Sequence, residues 1–430
     1  MKISRDKYVN DLEVRRENGM VKVVTGVRRC GKTYLLFDLF KESLLASGVD
    51  ESHIVELALD LQENAQYRDP DALYSFLLDK LSSDGGMHYV LLDEIQYAIS
   101  DEELRNPSKP PRLYGVLNGL LRRPNADVYV TGSNSKLLSK DVMTEFRGRG
   151  DEVHVLPLVF SEFMQVYDGD RRDGWDEYVM YGGMPLAATM RTDGQKMRYL
   201  SSLFEEVYLR DIVERNHVTK TEELEDLVDV LASAIGSLTN PAKIEATFES
   251  VLKSKLTRGT AAQFIGYLED AFLVAEAKRY DVKGRKYIGS PKKYYFEDVG
   301  LRNARLGFRQ VEESHLMENV IYNELRYRGF AVDVGVVDRR VRDDAGRQGR
   351  VRYECDFVAN LGYRRYYVQS ALSIPDEAKR RQETESLRNI DDSFRKIVVV
   401  KDAGKPYMDE DGILTMGLYD FLLDPSSLNF

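Results

Sequence analysis

The sequence predicts an α/β protein whose first part is built on a parallel β-sheet, with further helical and α/β modules behind it. Apolar stretches at 21–25, 88–92 and 127–131 each indicate a buried strand that ends at a polar turn. The first stretch continues through a glycine-containing loop into an apolar helical pattern at 34–40, and units of this kind build parallel sheets. At 430 residues the chain is longer than one hydrophobic core usually grows, so several modules are expected.

Composition and charge narrow the classes of function. With 43% hydrophobic and 31% charged residues the chain is typical of a globular protein, and its net charge of -10 confines any nucleic-acid contact to local patches. Cys30 and Cys355 are isolated, which excludes a disulfide framework and a cysteine zinc site. Residues 1–19 are rich in charge and no apolar run is long enough for a bilayer, so we expect a cytoplasmic protein without membrane contact.

The loop after the first strand carries a phosphate-binding pattern, Walker A. Its residues match G-x-x-x-x-G-K-T in full and lie between a strand and a helix, as the pattern requires: Gly26, Val27, Arg28, Arg29, Cys30, Gly31, Lys32 and Thr33. Backbone N–H groups at such a helix start turn toward phosphates. Lys32 bridges the β- and γ-phosphates and Thr33 offers its hydroxyl to magnesium. We therefore predict ATP or ADP with Mg²⁺ as ligands, and Tyr34 completes the predicted nucleotide-binding set.

Two parts of this loop keep alternative interpretations. A helix N-terminus can activate a thiol, which would make nucleotide binding sensitive to oxidation at Cys30. The simpler interpretation, a small residue that fits the loop, is favoured. Arg28 and Arg29 face either the phosphates or a neighbouring subunit, and they receive no individual role.

The next two strands end in residues suited to hydrolysis. Asp93 and Glu94 follow the second strand as a Walker B pair, in which Asp93 holds magnesium through water and Glu94 orients the attacking water as general base. The third strand ends at Gly132, where Ser133 or Asn134 is placed to sense the γ-phosphate. Farther along, Arg149 is the first choice for an arginine finger, acting either within the chain or across a subunit boundary.

These residues resemble a family of bacterial and archaeal AAA+ ATPases that join an N-terminal P-loop domain to a C-terminal domain of unknown function. The similarity extends over nearly the whole chain. Besides the loop at 26–33, its markers are Leu92-Asp93-Glu94-Ile95-Gln96, Thr131-Gly132-Ser133, Gly148-Arg149, Leu156-Pro157-Leu158, Glu162-Phe163, Gly182-Gly183-Met184-Pro185 and Tyr208-Leu209-Arg210-Asp211-Ile212. The resemblance implies an ATPase near the archaeal origin-recognition-like and signal-transduction ATPases, with a helical lid, a winged helix and a restriction-endonuclease-like fold.

We accordingly expect four parts: a P-loop AAA+ ATPase domain at 1–160, a helical lid or linker at 161–215, a winged-helix domain at 216–308 and a restriction-endonuclease-like domain at 309–430. Helices around 224–238 and 244–256, a third from about 259, and strands at 272–280 and 286–296 make the winged helix. Its hairpin is basic, which suits DNA backbone contacts: Lys278, Arg279, Lys283, Arg285, Lys286, Lys292 and Lys293. Docking of a protein partner is the alternative.

The last part, with a helix through 316–325 and strands at 330–337, 353–359 and 366–371, has the element order of a restriction-endonuclease-like core. Active members hold magnesium with an acid on the first helix and a D…E/Q-x-K set on the strands. Glu318, Asp356 and Gln369 occupy three of these places, but Ala371 stands where the lysine belongs, so we expect a degenerate site. Two alternatives keep activity open: Lys379 or Arg380 moves into the site, or Glu354 adds a ligand. The arginine-rich hairpin at 339–352 is expected to be solvated, balanced by Asp343 and Asp344.

Three functional classes follow from this pattern. The first is an ATP-hydrolysing protein that couples its nucleotide state to DNA binding or remodelling through the winged helix and the nuclease-like module. The second is a signal-transduction or toxin-antitoxin-like switch that gates a protein partner, and the third is an ATP-dependent nuclease. The sequence is compatible with a monomer and with an AAA+ homo-oligomer.

Overall fold

The three strands predicted in the first part of the chain belong to a five-stranded parallel sheet, which confirms the α/β fold class. In the computed structural model, which describes residues 2–82, 85–100, 102–103, 110–132, 149–342 and 348–429 (340–342 and 348 by backbone alone), the strands are β1 (Val21–Thr25), β2 (Ile54–Ala58), β3 (His88–Asp93), β4 (Ala126–Thr131) and β5 (Gly150–His154). Their order is β2-β3-β4-β1-β5 and each neighbouring pair is parallel. The segments that follow Thr25, Asp93, Thr131 and His154 therefore meet at one edge of the sheet.

This sheet belongs to the first of two compact units, which consists of residues 1–157 and 270–272, the second being residues 158–269 and 273–430. Its helices are α1 (Asp6–Glu13), α2 (Lys32–Tyr34), α3 (Lys41–Ala46), α4 (Pro70–Leu81) and α5 (Arg112–Leu120). A π-helical stretch, Leu35–Phe40, joins α2 to α3. Asp69 caps α4 by accepting from the backbone N–H of Asp71 and Ala72 at 3.1 Å, as a helix start with proline at its first position favours.

The core of the first unit explains its strand pattern. All residues of β1 and β3 are buried, as strands inside a parallel sheet must be. Valines and leucines of these strands pack with apolar residues of α4 and α5, such as Leu77 and Leu117. At the amino-terminal ends of the strands, Lys22 forms a fully buried ion pair with Asp127. That pair links β1 to β4 near the amino-terminal ends of these strands. The phosphate loop follows β1 at the opposite, carboxyl-terminal end.

The second unit is built on an eight-stranded mixed sheet. Its strands are β6 (Val274–Asp281), β7 (Lys286–Phe296), β8 (Ala331–Arg342), β9 (Gln348–Leu361), β10 (Arg364–Ala371), β11 (Arg395–Val400), β12 (Tyr407–Met408) and β13 (Ile413–Gly417). The order is β12-β13-β11-β10-β9-β8-β6-β7. Hairpins β6–β7, β8–β9 and β9–β10 are antiparallel, whereas β10–β11, β11–β13 and β6–β8 pair in parallel.

The helices of the second unit precede and interrupt this sheet. They are α6 (Phe160–Phe163), α7 (Arg171–Tyr181), α8 (Pro185–Ala188), α9 (Asp193–Ser202), α10 (Arg210–Arg215), α11 (Thr221–Ser233), α12 (Pro241–Thr247), α13 (Arg258–Asp270), α14 (Val299–Arg305), α15 (Glu313–Tyr327), α16 (Glu377–Arg388) and α17 (Leu418–Leu423). Segments Leu203–Leu209 and Phe248–Leu252 are π-helical. The three helices and the strands expected between 224 and 371 are confirmed, with ends that differ by a few residues.

Strand pairing crosses the domain boundary expected at residue 308. The register of β6 with β8 pairs Arg279 with Val334 and Asp281 with Val336. The hairpin assigned to the winged helix is therefore continuous with the sheet assigned to the nuclease-like module. Parallel pairing between distant segments leaves no local pattern in the sequence, so residue spacing alone does not predict it.

The glycine marker at 182–183 has a structural reason within the second unit. Asp298, at the start of α14, accepts hydrogen bonds from the N–H groups of Gly183 at 2.7 Å and Leu301 at 2.9 Å. Burial raises the pKa of this carboxyl to about 6, against the opposing effect of those hydrogen bonds. The marker thus ties the end of α7 to α14. None of the described helices is long and apolar enough to cross a membrane.

Candidate functional site

The loop between β1 and α2 is shaped by two glycines with backbone conformations that other residues rarely adopt. Gly26 has φ +139°, and a Cβ atom there would lie 2.1 Å from the carbonyl oxygen of Val155. Gly31 has φ +98° and starts α2. Any side chain at Gly26 would collide with backbone, so the loop can follow this path only with glycine. The result is a strand, a tight loop and a helix start, the arrangement that receives phosphate groups.

Lys32 lies inside this loop. Its side chain is buried, and Nζ donates to the carbonyl oxygens of Gly26 at 3.0 Å and Val27 at 3.1 Å. The loop's own carbonyls thus hold the ammonium group at the concave side of the turn. A positive charge is therefore placed where the sequence pattern expects the β- and γ-phosphates.

Thr33, Asp93 and Thr131 form one hydrogen-bonded row across three elements. Thr33 Oγ1 donates to Asp93 Oδ2 at 2.8 Å, and Thr131 Oγ1 donates to Asp93 Oδ1. A hydroxyl and a carboxylate are hard oxygen donors of the kind that Mg²⁺ prefers, so these residues fit that ion. Thr131 was expected only as a family marker, and its position at the end of a strand beside β1 and β3 is the signal that would have identified its role.

The buried position of Asp93 affects its proton affinity. Burial raises the pKa of this carboxyl above its ordinary value, and the nearby charge of Glu94 acts in the same direction. The hydrogen bonds from Thr131 and Thr33 and the charge of Lys32 oppose the change. A cation bound at this carboxylate would favour its charged form.

Glu94 has a backbone conformation that is unusual for a glutamate. Its φ of 52° and ψ of 51° lie in the left-handed region, which costs roughly 1–3 kcal/mol for a residue other than glycine. The conformation is held by a hydrogen bond from the Glu94 N–H to Thr131 Oγ1 at 3.0 Å. Gln96 Nε2 donates to Glu94 Oε2 and so holds the carboxylate as well. A strained residue fixed on both sides, beside Asp93, is consistent with a catalytic role.

Arg5 supports the loop from a distant part of the chain. Its buried guanidinium donates to the carbonyl oxygens of Cys30 at 2.9 Å and Leu156 at 2.7 Å. Cys30 is itself buried and its thiol donates to the Val155 carbonyl at 3.3 Å. This supports the interpretation of Cys30 as a small residue that fits. Arg5 was not predicted, since its partners lie 25 and 151 positions away in the sequence.

The remaining predicted nucleotide-site residues have different positions. Val27 is buried, Arg28 and Tyr34 are half-buried, and Arg29 is exposed with φ +63°. Ser133 and Asn134 lie outside the described residues. Arg149 is exposed, and its carbonyl accepts from the Val21 N–H at 2.9 Å, at the end of β1 opposite the phosphate loop. With β1 extending about 13 Å between the two ends, this position argues against an arginine finger within the same chain.

A second polar cluster lies in the second unit and brings together the predicted nuclease-like residues. Asp356 on β9 accepts from Gln369 Nε2 and from the N–H of Ser370, each at 2.9 Å. Glu318 on α15 is linked to the same cluster through Lys293 on β7, whose Nζ lies 2.8 Å from Glu318 Oε1 and 3.9 Å from Asp356 Oδ1. The sequence predicts Lys293 as part of a DNA-contacting hairpin and gives no sign of this role.

Lys293 provides the positive charge of this cluster. The residue is 3% exposed and also lies 2.8 Å from Glu354 Oε1, while Tyr295 donates to Glu318 Oε1 at 2.6 Å. Burial disfavours the ammonium form, but the three carboxylates outweigh it and hold the pKa of Lys293 above its ordinary range. Within the described residues no group of three His, Cys, Asp or Glu is arranged to hold a metal ion.

The two residues expected as substitutes for the missing lysine are engaged elsewhere. Lys379 pairs with Glu383 at 2.6 Å, and Arg380 donates to Asp409 at 2.9 Å and to Thr415 at 3.2 Å. These contacts do not support the alternative in which Lys379 or Arg380 moves into the site. In the arginine-rich hairpin, Arg350 and Arg352 pair with Asp338. Asp343 and Asp344, expected to balance that hairpin, lie outside the described residues.

The second polar cluster, which contains Asp356, Glu318 and Lys293, should make the stability of the second unit depend on pH. Burial and the charge of Glu318 raise the pKa of Asp356 to about 8 in the folded chain, against an ordinary value of 3.8. The folded state then binds more protons than the unfolded state between these values, so this contribution to stability is lost as the pH rises from about 4 to 8. We expect Asp356→Asn to flatten that decline in urea titrations followed by the fluorescence of Trp175, the single tryptophan. The control Asp402→Asn, at an exposed carboxyl, should keep the decline in stability with rising pH. If stability falls equally with pH in the two variants, the decline does not come from Asp356.

A match to a protein-family model agrees with this description of the first unit. A family model described as "AAA domain" matches residues 18–164, and one described as "Domain of unknown function (DUF8612)" matches residues 172–312. Among solved structures, a Walker-type ATPase of Pyrococcus abyssi shares 15% identity, with 71% of this chain and 96% of that chain covered and a TM-score of 0.48. The Orc1 protein of Aeropyrum pernix, solved in complex with DNA, shares 13% identity, with coverages of 71% and 92% and a TM-score of 0.29.

Relatives that match most of this chain are found in a bacterium and an archaeon. An uncharacterized protein of Methanocaldococcus jannaschii is 26% identical over 395 residues, which is 87% of this chain and 80% of that protein. An uncharacterized protein of Haemophilus influenzae is 31% identical over 428 residues, which is 98% of each chain. This protein therefore belongs to the same family as the Haemophilus influenzae protein and carries an AAA domain in its first unit.

Proposed function

We propose that this chain binds ATP with Mg²⁺ at the loop 26–33 and hydrolyses it with Glu94 as general base. The observation that carries the proposal is the convergence of Lys32, Thr33, Asp93, Glu94 and Thr131 at one edge of the parallel sheet. These side chains come from three separate segments. A cation, a hydroxyl, a buried carboxylate and a strained glutamate at one site match the requirements of phosphoryl transfer to water.

The phosphates would be bound by the loop itself. Backbone N–H groups around Gly31 and the start of α2 contribute partial positive charge, and Lys32 contributes a full charge. Nζ exchanges its contacts with Gly26 and Val27 for phosphate oxygens. When bound, Mg²⁺ supplies charge neutralisation at the β- and γ-phosphates, and Thr33 with Asp93 are the residues that would hold it.

Glu94 would take the proton from the attacking water. Gln96 Nε2 donates to the carboxylate, and the Glu94 N–H donates to Thr131 and holds the backbone, so little reorganisation is required when the proton moves. The water oxygen forms a bond to the γ-phosphorus while the bond to the bridging oxygen breaks, and that electron pair leaves with ADP. Lys32 stabilises the charge that develops on the phosphate oxygens.

The decisive experiment is steady-state phosphate release by the purified chain, with Lys32→Ala as the blank. The assay is run without DNA and with duplex, single-stranded and branched DNA. Magnesium-dependent turnover that is absent from Lys32→Ala supports the proposal, and equal rates in the two proteins would refute it. Turnover that is slow and indifferent to DNA would favour the second functional class, a switch whose second unit binds a protein partner.

We further propose that nucleotide state is coupled to DNA through the second unit, with a lid at 161–215, a winged helix at 216–308 and a nuclease-like module at 309–430. One observation favours the winged helix: Thr239, between α11 and α12, forms an antiparallel bridge with Lys292 of β7. Helix α13 exposes Arg258, Ala262 and Gln263. Such a helix beside a basic hairpin is the arrangement that places a helix in the major groove and a hairpin on the backbone.

The basic turn of β6–β7 gives a direct test of DNA binding. Lys283, Arg285 and Lys286 are exposed there. Affinity for DNA falls as salt rises. Replacing all three with alanine should make the plot of log affinity against log salt less steep by about 2–3, since each lost phosphate contact removes about 0.9 from the slope. The affinity should fall by a similar factor for all DNA sequences. It is measured by fluorescence anisotropy at several salt concentrations. Lys405→Ala, at an exposed lysine away from the turn, should leave the slope unchanged. A wild-type affinity that does not depend on salt would exclude this interface.

The position of Arg149 bears on whether the chain forms an oligomer. Because it lies at the end of β1 away from the phosphate loop, a finger role would require a neighbouring subunit. We propose this role only for an AAA+ homo-oligomer. Sedimentation of the chain with and without ATP distinguishes that oligomer from a monomer.

A further inference from the structure

Gln96 lies in a rigid turn directly beside the proposed general base. The 3-10 turn Ile95–Ala98 follows Glu94, and both Ile95 and Ala98 are buried in the core of the first unit. Nε2 of Gln96 donates to Glu94 Oε2. A carboxylate can only accept hydrogen bonds, so the NH₂ end of the amide must face Glu94. This leaves the carbonyl end, Oε1, directed away from that oxygen.

Oε1 of Gln96 is buried and has no hydrogen-bond partner among the residues that the structure describes. Buried polar atoms in folded proteins are almost always paired with protein, water or ligand, because leaving an acceptor unpaired costs free energy. A donor that enters the site would therefore satisfy Oε1. Since Oε1 and Nε2 belong to one planar amide, that donor also lies close to the Glu94 carboxylate.

We propose that Gln96 positions the attacking water together with Glu94. Nε2 holds the glutamate through Oε2, while Oε1 accepts one hydrogen of the water and Glu94 accepts the other. A water molecule with both hydrogens engaged directs a lone pair at the γ-phosphorus, the orientation that in-line attack needs. Gln96 neither gains nor loses a proton, since the proton passes to Glu94 and the electron pair of the broken bond leaves with ADP. This inference rests on the ATP hydrolysis proposed above.

The test compares Gln96→Ala, the isosteric Gln96→Glu and the neighbouring control Tyr97→Phe. We expect both Gln96 variants to lower kcat about 10- to 100-fold while KM for ATP stays within about twofold of wild type. Tyr97→Phe should behave as wild type. Gln96→Glu has the shape of the native side chain, so it decides the result if Gln96→Ala fails to fold.

Binding measurements separate a positioning role from a structural one. Affinity for ADP alone should not change in the Gln96 variants, whereas affinity for ADP with aluminium fluoride, which imitates the phosphoryl group under attack by water, should weaken by about the same factor as kcat. A purely structural residue would affect both ligands equally. That outcome would overturn the proposal.

The kinetic outcomes distinguish the two proposals from each other. If Glu94→Gln abolishes turnover but Gln96→Ala keeps or increases kcat, the role of Gln96 is wrong and ATP hydrolysis stands. An increase would mean that Gln96 restrains the base instead of orienting the water. If wild type and Lys32→Ala release phosphate at the same rate, both proposals fall.

Discussion

Replacing Glu94 with glutamine is expected to lower kcat for ATP hydrolysis by about 10²- to 10⁴-fold and to leave ATP binding within about twofold of wild type. Glutamine has the shape of glutamate but cannot accept a proton from water. The backbone hydrogen bond from residue 94 to Thr131 does not involve the side chain and should persist. The substitution therefore removes the base while the loop and Lys32 remain in place.

This expectation is measured by single-turnover hydrolysis and by titration of a fluorescent, non-hydrolysable ATP analogue. Lys32→Ala is the matched control, since it should lose analogue binding as well as turnover. A Glu94→Gln protein that keeps more than about a tenth of the wild-type kcat would place the base elsewhere, because general-base removal costs at least about 10²-fold. Asp93 would then be the first residue to test.

The parts of the nucleotide site that are contiguous in the sequence are those that could be predicted. The phosphate loop and the acidic pair Asp93 and Glu94 each follow an apolar strand, and local pattern is enough to place them. Thr131 needed one further step, the knowledge that β4 lies between β1 and β3. Arg5 could not be found in this way, because its contacts with Cys30 and Leu156 arise from tertiary packing.

The position of Arg149 shows how an unrecognised strand changes an interpretation. Strand β5 runs from Gly150 to His154, contains two adjacent acidic residues, Asp151 and Glu152, and lies at the edge of the sheet. No apolar run marks it. Since β5 pairs in parallel with β1, the residue before it lies at the amino-terminal end of that strand. An arginine that is close to the site in sequence order thus lies far from it in space.

In the second unit the sequence predicts individual strands but not how they join into one sheet. Alternating or apolar runs and a turn signal predicted the hairpin β6–β7, and the change of pattern after residue 312 predicted the strands β8 to β10. Their joining through parallel pairing of β6 with β8 depends on contacts between segments far apart in the chain. Lys293 was consequently assigned to a surface when it is buried among Glu318, Glu354 and Asp356.

Replacing Lys293 with methionine is expected to destabilise the second unit by about 3–5 kcal/mol, the usual cost of removing one partner from a buried ion pair. Methionine keeps most of the side-chain volume and removes the charge. Glu318 and Glu354 would lose their cation, and the hairpin would lose its link to α15 and β9. Each remaining carboxylate must then take up a proton or draw in water, and both responses cost stability.

The measurement is urea unfolding followed by the fluorescence of Trp175, which is buried in the second unit and donates to Glu313 at 2.7 Å. Lys292→Met provides the matched control on the same strand: Lys292 pairs with Glu276 near the surface, so its loss should cost at most about 1 kcal/mol. Adding Glu318→Gln to Lys293→Met should restore part of the lost stability, since it removes one of the unpaired charges. If Lys293→Met costs no more than Lys292→Met, the carboxylates around Lys293 are already neutral or hydrated. The cluster would then be held by the hydrogen bonds of Tyr295, Gln369 and Ser370 and not by charge.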